Sequence, residues 1–281
     1  MESKIPGVKN KICVITGGAG VIGASLGIGL AEAGAKVAIV DFNKQRADEI
    51  ADIINKKFPS SAIGVFANVL DKKLLAESKQ EINSKFGKID VLINGAGGNS
   101  PAATTKEEFV VEDGLNDLSG TLLGLDIEAF RRVFDLNFLG TVLPTMVYVE
   151  DLIKTKGTII NISSMNAFRP LTKIPAYSAA KASINNLTEW LAVHFAKVNV
   201  RVNAIAPGFF VTDQNRFLLY DKTTGELTER GKKILTNTPM GKFGEPDEIV
   251  GTLLYLISDL SKFVTGVVIP IDGGFNAYSG V

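Results

Sequence analysis

Short apolar runs alternate along this chain with longer stretches whose apolar residues recur at every third or fourth position. The runs are rich in Val, Ile and Ala and lack polar alternation, the pattern of strands buried on both faces. They predict strands at 12–15, 37–40, 62–67, 89–93, 158–164, 200–206 and 265–271. The intervening stretches predict helices. One follows the glycines at 17–23 and ends at Ala33; others are 43–57, 72–86, 127–153, one from Pro175, 228–235 and 245–258. There is no internal repeat and no linker. One α/β domain over 1–281 accounts for the pattern, with a doubly wound sheet of about seven parallel strands and helices on both faces.

Two stretches interrupt the rhythm. Residues 99–125 are mixed in polarity, carry Pro101, Gly114, Gly120 and Gly124, and show no period. A structureless loop of that length in a compact domain is usually functional or disordered, and this one reads as an insertion near a ligand mouth. Residues 209–243 begin polar and loop-rich and read as a lid over a substrate site.

The first predicted strand runs into Thr16-Gly17-Gly18-Ala19-Gly20-Val21-Ile22-Gly23, and the second ends at Asp41. Strand, glycine turn, helix, strand and acid within about thirty residues is the order of a Rossmann dinucleotide-binding unit. Glycines let the backbone approach a pyrophosphate, and the helix N-terminus offers free N–H groups. Asp41 can accept from both ribose hydroxyls and repels a 2′-phosphate. No basic residue lies between Gly17 and Gly23, which favours NAD over NADP, although Lys44 and Arg46 follow soon after.

Composition narrows the picture. A hydrophobic share of 46% in 281 residues is enough for a sizeable core. Lys+Arg and Asp+Glu are both 30, so no bulk charge or basic tract draws the chain to nucleic acid. No uninterrupted apolar run reaches 18 residues, so no membrane span is expected. The N-terminus has no apolar signal region, and the single cysteine, Cys13, sits in a predicted strand. Both fit a reducing, cytoplasmic setting, with Cys13 a buried packing residue. No metal is expected.

Tyr177 stands four residues before Lys181 at the start of an apolar-faced helix, so the two share a face. An ammonium beside a phenol favours phenolate and lowers the tyrosine pKa from about 10, which suits it to proton transfer. The stripe Ile184, Leu187, Leu191 and Phe195 faces the core or a second subunit. His194, the one histidine, falls about 260° around the helix from Tyr177, and reads as a packing or surface residue.

Together these pieces resemble the short-chain dehydrogenase/reductase family. The matching residues are Thr16-Gly17 with Gly23, Asp41, Asn94-x-Ala96-Gly97, Asn137, Ser164, Tyr177-x-x-x-Lys181 and Pro207-Gly208. Ser164 stands thirteen residues before Tyr177, the family's spacing, and is preferred to Ser163. One departure is Val21, where the family pattern has its second glycine. Further stretches, Asn94–Asn99, Ser163–Phe168, Leu171–Tyr177, Pro207–Thr212 and Asp272–Val281, resemble the D-mannonate oxidoreductase (fructuronate reductase) branch. The 99–125 insertion fits the same branch.

The resemblance implies hydride transfer between NAD(H) and a sugar acid, D-fructuronate and D-mannonate being the pair. Other polyol, sugar-acid or 3-oxoacyl reductases of the family are the alternative, and a non-catalytic NAD(H) sensor is a third. It implies Tyr177 as proton donor and acceptor, Lys181 as its partner, Ser164 on the substrate oxygen, and Asn137 holding a relay water. Cofactor contacts are implied for Gly17, Gly20, Val21, Ile22, Gly23, Asp41, Asn68, Val69, Asn94, Ala96, Gly97, Tyr177, Lys181, Pro207, Gly208, Val211 and Thr212. Candidates for the substrate carboxylate and hydroxyls are Asn99, Asn166, Arg169, Lys173, Asn215 and Arg216, with Lys173 first. A homotetramer is implied, with the helices around 130–150 and 180–196 in contact.

Overall fold

The computed structural model describes residues 5–212 and 216–280. Its strands are β1 (Ile12–Thr16), β2 (Lys36–Asp41), β3 (Ala62–Phe66), β4 (Val91–Asn94), β5 (Thr158–Ile162), β6 (Arg201–Pro207) and β7 (Val268–Ile271). They form one parallel sheet in the order β3-β2-β1-β4-β5-β6-β7. The order reverses between β1 and β4. In open α/β sheets such a switch point leaves a crevice at the strands' carboxyl ends.

The helices are α1 (Val21–Glu32), α2 (Lys44–Lys57), α3 (Lys72–Lys85), α4 (Ile127–Thr155), α5 (Pro175–Phe195), α6 (Arg216–Leu219), α7 (Glu229–Thr236) and α8 (Val250–Ile257). Strand side chains alternate between two cores. Cys13, Ile15, Val37 and Ile39 pack against α1, α2 and α8 through Leu26, Leu30, Ile54 and Leu253. Ile12, Val14, Ala38 and Val40 pack against α3, α4 and α5 through Leu75, Ile82, Tyr148, Leu152 and Leu191. Burying one such aliphatic side chain contributes about 1.5–3 kcal/mol. Ile184 and Leu191 are buried, and Leu187 and Phe195 pack on the second core, so the stripe on α5 faces inward.

Capping explains where the helices start. Asn43, Asp71, Asp126 and Thr228 each accept a hydrogen bond from a first-turn amide of α2, α3, α4 and α7. Helix α4 has 29 residues and is long and apolar enough to cross a membrane. It packs instead against α3, α5 and β4.

Three elements are shorter than the sequence predicts. β7 begins at Val268, because Gly266 has φ +80° and breaks the extended path. β5 ends at Ile162, because Ser164 caps a 3-10 turn over Met165–Ala167. β4 begins at Val91, after the Asp90 carboxylate accepts from Ile12 N at 2.8 Å. The helix expected from 245 opens as a 3-10 turn over Pro246–Ile249 before α8. Cys13 is fully buried, and burial pushes its thiol far up.

The 99–125 segment holds three 3-10 turns, Pro101–Ala103, Glu112–Gly114 and Leu122–Gly124. Residues 209–243 enclose a small core of their own, built on Leu219, Ile234 and Phe243.

Candidate active site

A cleft of about 610 Å³ opens at the switch point. Its floor is the glycine turn, with Gly17, Gly20, Val21, Ile22 and Gly23 all on its wall. Gly17 has φ +63°, and a Cβ there would lie 2.7 Å from Ala96 Cα. A Cβ on Gly23 would lie 2.7 Å from Gly17 O. The turn thus presses on itself and on the end of β4, which only glycine permits. Val21 is the first residue of α1, where a side chain is accommodated. The shifted glycine pattern therefore leaves the helix N-terminus open to the cleft.

Asp41, Asn68, Val69, Ala96, Gly97 and Thr212 line the same cleft, as the sequence suggests. Asp41 also tacks the turn to β2, accepting from Ala19 N at 3.2 Å and Asn43 N at 3.0 Å. Lys44 and Arg46 pair with Asp48 and Glu49, at 2.5 and 3.1 Å. Ala19, Phe42, Asn43, Arg46, Ala67, Gly95 and Leu136 line the cleft as well. Sequence reading passed over them because they contribute shape rather than a distinctive group. The register of β1 with β2 and β4 is the signal that finds Phe42 and Gly95, each one residue past a strand end.

Six expected cofactor positions lie outside the cleft wall. Asn94 is turned into the protein, donating to Thr145 Oγ1 at 3.1 Å and Asn161 Oδ1 at 2.9 Å. Asn161 continues the chain to Thr188 Oγ1 on α5 at 2.9 Å. Asn94 therefore joins β4, β5, α4 and α5 rather than lining the cleft. Pro207 and Gly208 are closed off by β7: Gly208 N donates to Ile271 O at 2.8 Å, and a Cβ at Gly208 would meet Asp272 Cα at 2.6 Å. Val211 packs on the core of the 209–243 segment. Tyr177 and Lys181 stand beyond the cleft's end at Gly97. A Cβ on Gly97 would lie 2.5 Å from Asn137 Oδ1 and 3.3 Å from Lys181 Nζ.

Around Gly97 the sequence-predicted Ser164, Tyr177, Lys181 and Asn137 come together. Asn137 is fully buried in α4 and clasps Gly98, donating to its O at 2.7 Å and accepting from its N at 3.2 Å. Lys181 Nζ donates to Ile162 O at 2.8 Å and lies 5.6 Å from the Tyr177 ring centre. Burial pulls Lys181 down to about 8. The Tyr177 ring packs beside Ala103, Ala129, Val133 and Ala176. Its phenol is pushed above its usual value by burial, partly offset by the Ser164 hydroxyl. Against the expectation that Lys181 lowers the tyrosine, burial is the largest influence on the phenol and it acts upward. Ser163 and Ser164 point apart. Ser163 bonds Asn185 of α5, whereas Ser164 faces the phenol.

The substrate-side candidates scatter. Asn166 is buried next to Ser164, and its N donates to Ser164 Oγ at 3.2 Å. Asn99 donates to Thr104 Oγ1 at 2.9 Å, and Arg169 donates to Tyr278 O at 3.1 Å. Lys173 donates to Lys106 O at 2.7 Å. Arg216 lies 5.8 Å from the Tyr220 ring centre. Asn215 lies outside the described residues. His194 is exposed and stacks on Trp190 with ring centres 4.5 Å apart, away from the site. Among the described residues no group of His, Cys, Asp and Glu is placed to hold a metal ion.

Oxidoreductases of the Rossmann class are built this way, and comparison with known proteins narrows the class. A family profile described as enoyl-(acyl carrier protein) reductase matches residues 17–276. The chain belongs to the short-chain dehydrogenase/reductase family. It is 52% identical to an uncharacterised oxidoreductase of Haemophilus influenzae, over 98% of this chain and 96% of that one. A solved Haemophilus structure, provisionally assigned as a D-mannonate oxidoreductase and holding NAD, matches at 52% identity with TM-score 0.92, over 98% of both chains. The 3-oxoacyl-[acyl-carrier-protein] reductase FabG of Aquifex aeolicus is 32% identical over 98% of this chain and 99% of its own.

Proposed function

We propose that this chain is an NAD-dependent reductase of a keto sugar acid, interconverting D-fructuronate and D-mannonate. The observation that carries the reading is the grouping of Ser164, Tyr177, Lys181 and Asn137 beside Gly97, where the cleft ends. The 52% identical Haemophilus structure with bound NAD supports both cofactor and substrate class. The cleft fits a dinucleotide: its glycine turn brings backbone and the α1 N-terminus to a pyrophosphate, and Asp41 stands where an adenine ribose is read. Asp41, with Lys44 and Arg46 held by acids, favours NAD over NADP.

When bound, NADH supplies the hydride to the carbonyl carbon. The protein's part is to hold the carbonyl and move the proton. Tyr177 gives its phenolic proton to the carbonyl oxygen in reduction and takes one back in oxidation. Ser164, beside the phenol, hydrogen-bonds the same oxygen and stabilises its developing charge. Lys181, held by Ile162 O, faces the tyrosine and would hold the nicotinamide ribose when the cofactor is bound. Asn137, fixed to Gly98, positions a water that returns protons from solvent. The 99–125 insertion and the 209–243 lid frame the substrate mouth. The exposed Leu139 and Met146 of α4 and Trp190 and Val193 of α5 are the faces through which a cytoplasmic homotetramer assembles.

The 32% identity with FabG favours a second reading, a 3-oxoacyl reductase. Steady-state kinetics with D-fructuronate and with a 3-oxoacyl thioester, each with NADH and NADPH, decide between them. The proposal expects the highest kcat/KM for D-fructuronate with NADH. Faster turnover of the thioester overturns it.

A further inference from the structure

Glu108 of the insertion pairs with Lys233 of α7 at 2.7 Å, across 125 residues of sequence. The same short run is pinned on its other side. Thr105 N donates to Lys173 O at 2.8 Å, and Lys173 Nζ donates back to Lys106 O at 2.7 Å. Residues 105–108 therefore bridge the loop that leads into Tyr177 and the helix of the lid.

Lys173 adopts φ +75° at this bridge. A left-handed conformation costs a non-glycine residue of order 1 kcal/mol and persists where its surroundings enforce it. Lys233 bonds Glu108 at 2.7 Å, and this hydrogen bond first, with smaller attraction from Lys173 and Arg230, holds the Glu108 carboxyl below the usual carboxylate range; Arg230 is also one turn before Lys233 on α7. Of these cations only Lys233 forms an ion pair with Glu108 among the described residues. The insertion's first turn reaches the chemistry directly, since Ala103 packs in the cluster that holds the Tyr177 ring.

We propose that this cluster recognises the substrate's carboxylate, and that Glu108 is the chain's own stand-in for it. The inference rests on the sugar-acid reading above. With the ketone at Tyr177, the carboxylate of a keto sugar acid lies toward the other end of its carbon chain. Lys233 and Arg230, carried by the lid helix, take that carboxylate as Glu108 releases Lys233. A point charge such as Lys suits this exchange, and Arg adds a bidentate fork. Lys233 and Arg230 then read the charge that distinguishes a sugar acid from a neutral sugar.

Two variants with opposite signs test the exchange. Lys233→Met removes a cation and is expected to raise KM for D-fructuronate about 10-fold, with kcat falling less than about 3-fold. Glu108→Gln removes the competitor and is expected to lower KM by roughly 2- to 5-fold. If the pair is only a latch between insertion and lid, both variants shift KM in the same direction, and the proposal fails. A second measurement needs no turnover. With NAD present, acetate should raise the melting temperature of the wild type, more so that of Glu108→Gln, and leave Lys233→Met unmoved. Equal shifts in all three, or none, overturn the carboxylate site. A wild type that responds to acetate but reduces no keto sugar acid overturns the substrate reading and leaves the anion site standing.

Discussion

The two sides of this cleft are built from different materials. The glycine-turn side is backbone: Gly17, Ala96 and Gly97 sit just past strand ends, where sheet register positions them, and Gly23 lies in the first turn of α1 packed on Gly17. The other side is assembled from the insertion, the loop 165–174, the lid and the C-terminal tail. These are held to one another by contacts such as Glu108 to Lys233, Lys173 to Lys106, Arg169 to Tyr278 O and Phe209 to Phe275. A sheet edge tolerates little variation, because shifting one strand displaces its neighbours. Loops joined by exposed polar contacts can change sequence without disturbing the sheet. The first side suits a shared ligand, and the second suits a particular one.

Tyr177 stands where the two sides meet, so its loss is the largest expected effect. Tyr177→Phe keeps the ring among Ala103, Ala129 and Val133 and deletes only the hydroxyl. A positioned general acid contributes about 10²–10⁴-fold, so kcat should fall about 1,000-fold. NADH affinity, measured by fluorescence titration, should stay within about 2-fold. Loss of NADH binding together with turnover would mean that the two sides are not separable at this residue.

The sequence reveals these two sides unequally. The glycine turn, Asp41 and the Tyr177–Lys181 spacing are local signals; Gly17 and Asp41 stand on the cleft wall, and Lys181 Nζ lies 5.6 Å from the Tyr177 ring centre. The inward turn of Asn94 is not legible, because its neighbours in the chain do not say which face of β4 it takes. Pairing with Asn161 and the hydroxyl of Thr145 decide that. Lys173 also sits where the sequence does not foretell: its left-handed backbone turns the ammonium back to Lys106, which helical spacing from Tyr177 does not anticipate. The 99–125 stretch shows no period because it buries so little, chiefly Ala103 and Thr121, while Phe109, Leu122 and Leu123 stay exposed. Where little is buried, no hydrophobic pattern is imposed.

A second test concerns the cost of placing Lys181 between the two sides. Lysine ordinarily keeps its proton to 10.5, and burial brings Lys181 to about 8. Between those values the folded protein binds fewer protons than the unfolded chain, so this residue makes stability rise with pH. Charged Lys181 is a penalty below that window, and the penalty fades as pH rises through it. Relative to Lys181→Met, the wild type should gain roughly 3 kcal/mol across the window, less whatever the Ile162 hydrogen bond returns. Tyr177 keeps its proton more tightly on folding and acts in the opposite sense above its ordinary value, but both proteins carry it. Urea unfolding of each protein at pH 7.5 and 9.5 measures the difference. A constant gap between the two would show that Lys181 is not desolvated.

The smallest effect lies wholly on the glycine-turn side. Asp41 has two duties there. One oxygen accepts from Ala19 N and the other from Asn43 N, and both retain capacity for a ribose hydroxyl. Asp41→Asn keeps the shape, removes the charge that opposes a 2′-phosphate, and replaces one acceptor by a donor facing a backbone N–H. The NADH-over-NADPH ratio of kcat/KM should fall about 10-fold, mostly through KM for NADH. The change should leave KM for D-fructuronate within about 2-fold if, as proposed, Lys233 and Arg230 read the carboxylate. Kinetics with each cofactor at saturating D-fructuronate, then the reverse, separate the two. If KM for the sugar acid moves as far as KM for NADH, the glycine turn and the lid respond as one body. The division between a generic and a specific side would then give way to a single closing unit, coupled through Thr212, the one cleft-lining residue among the described part of 209–243.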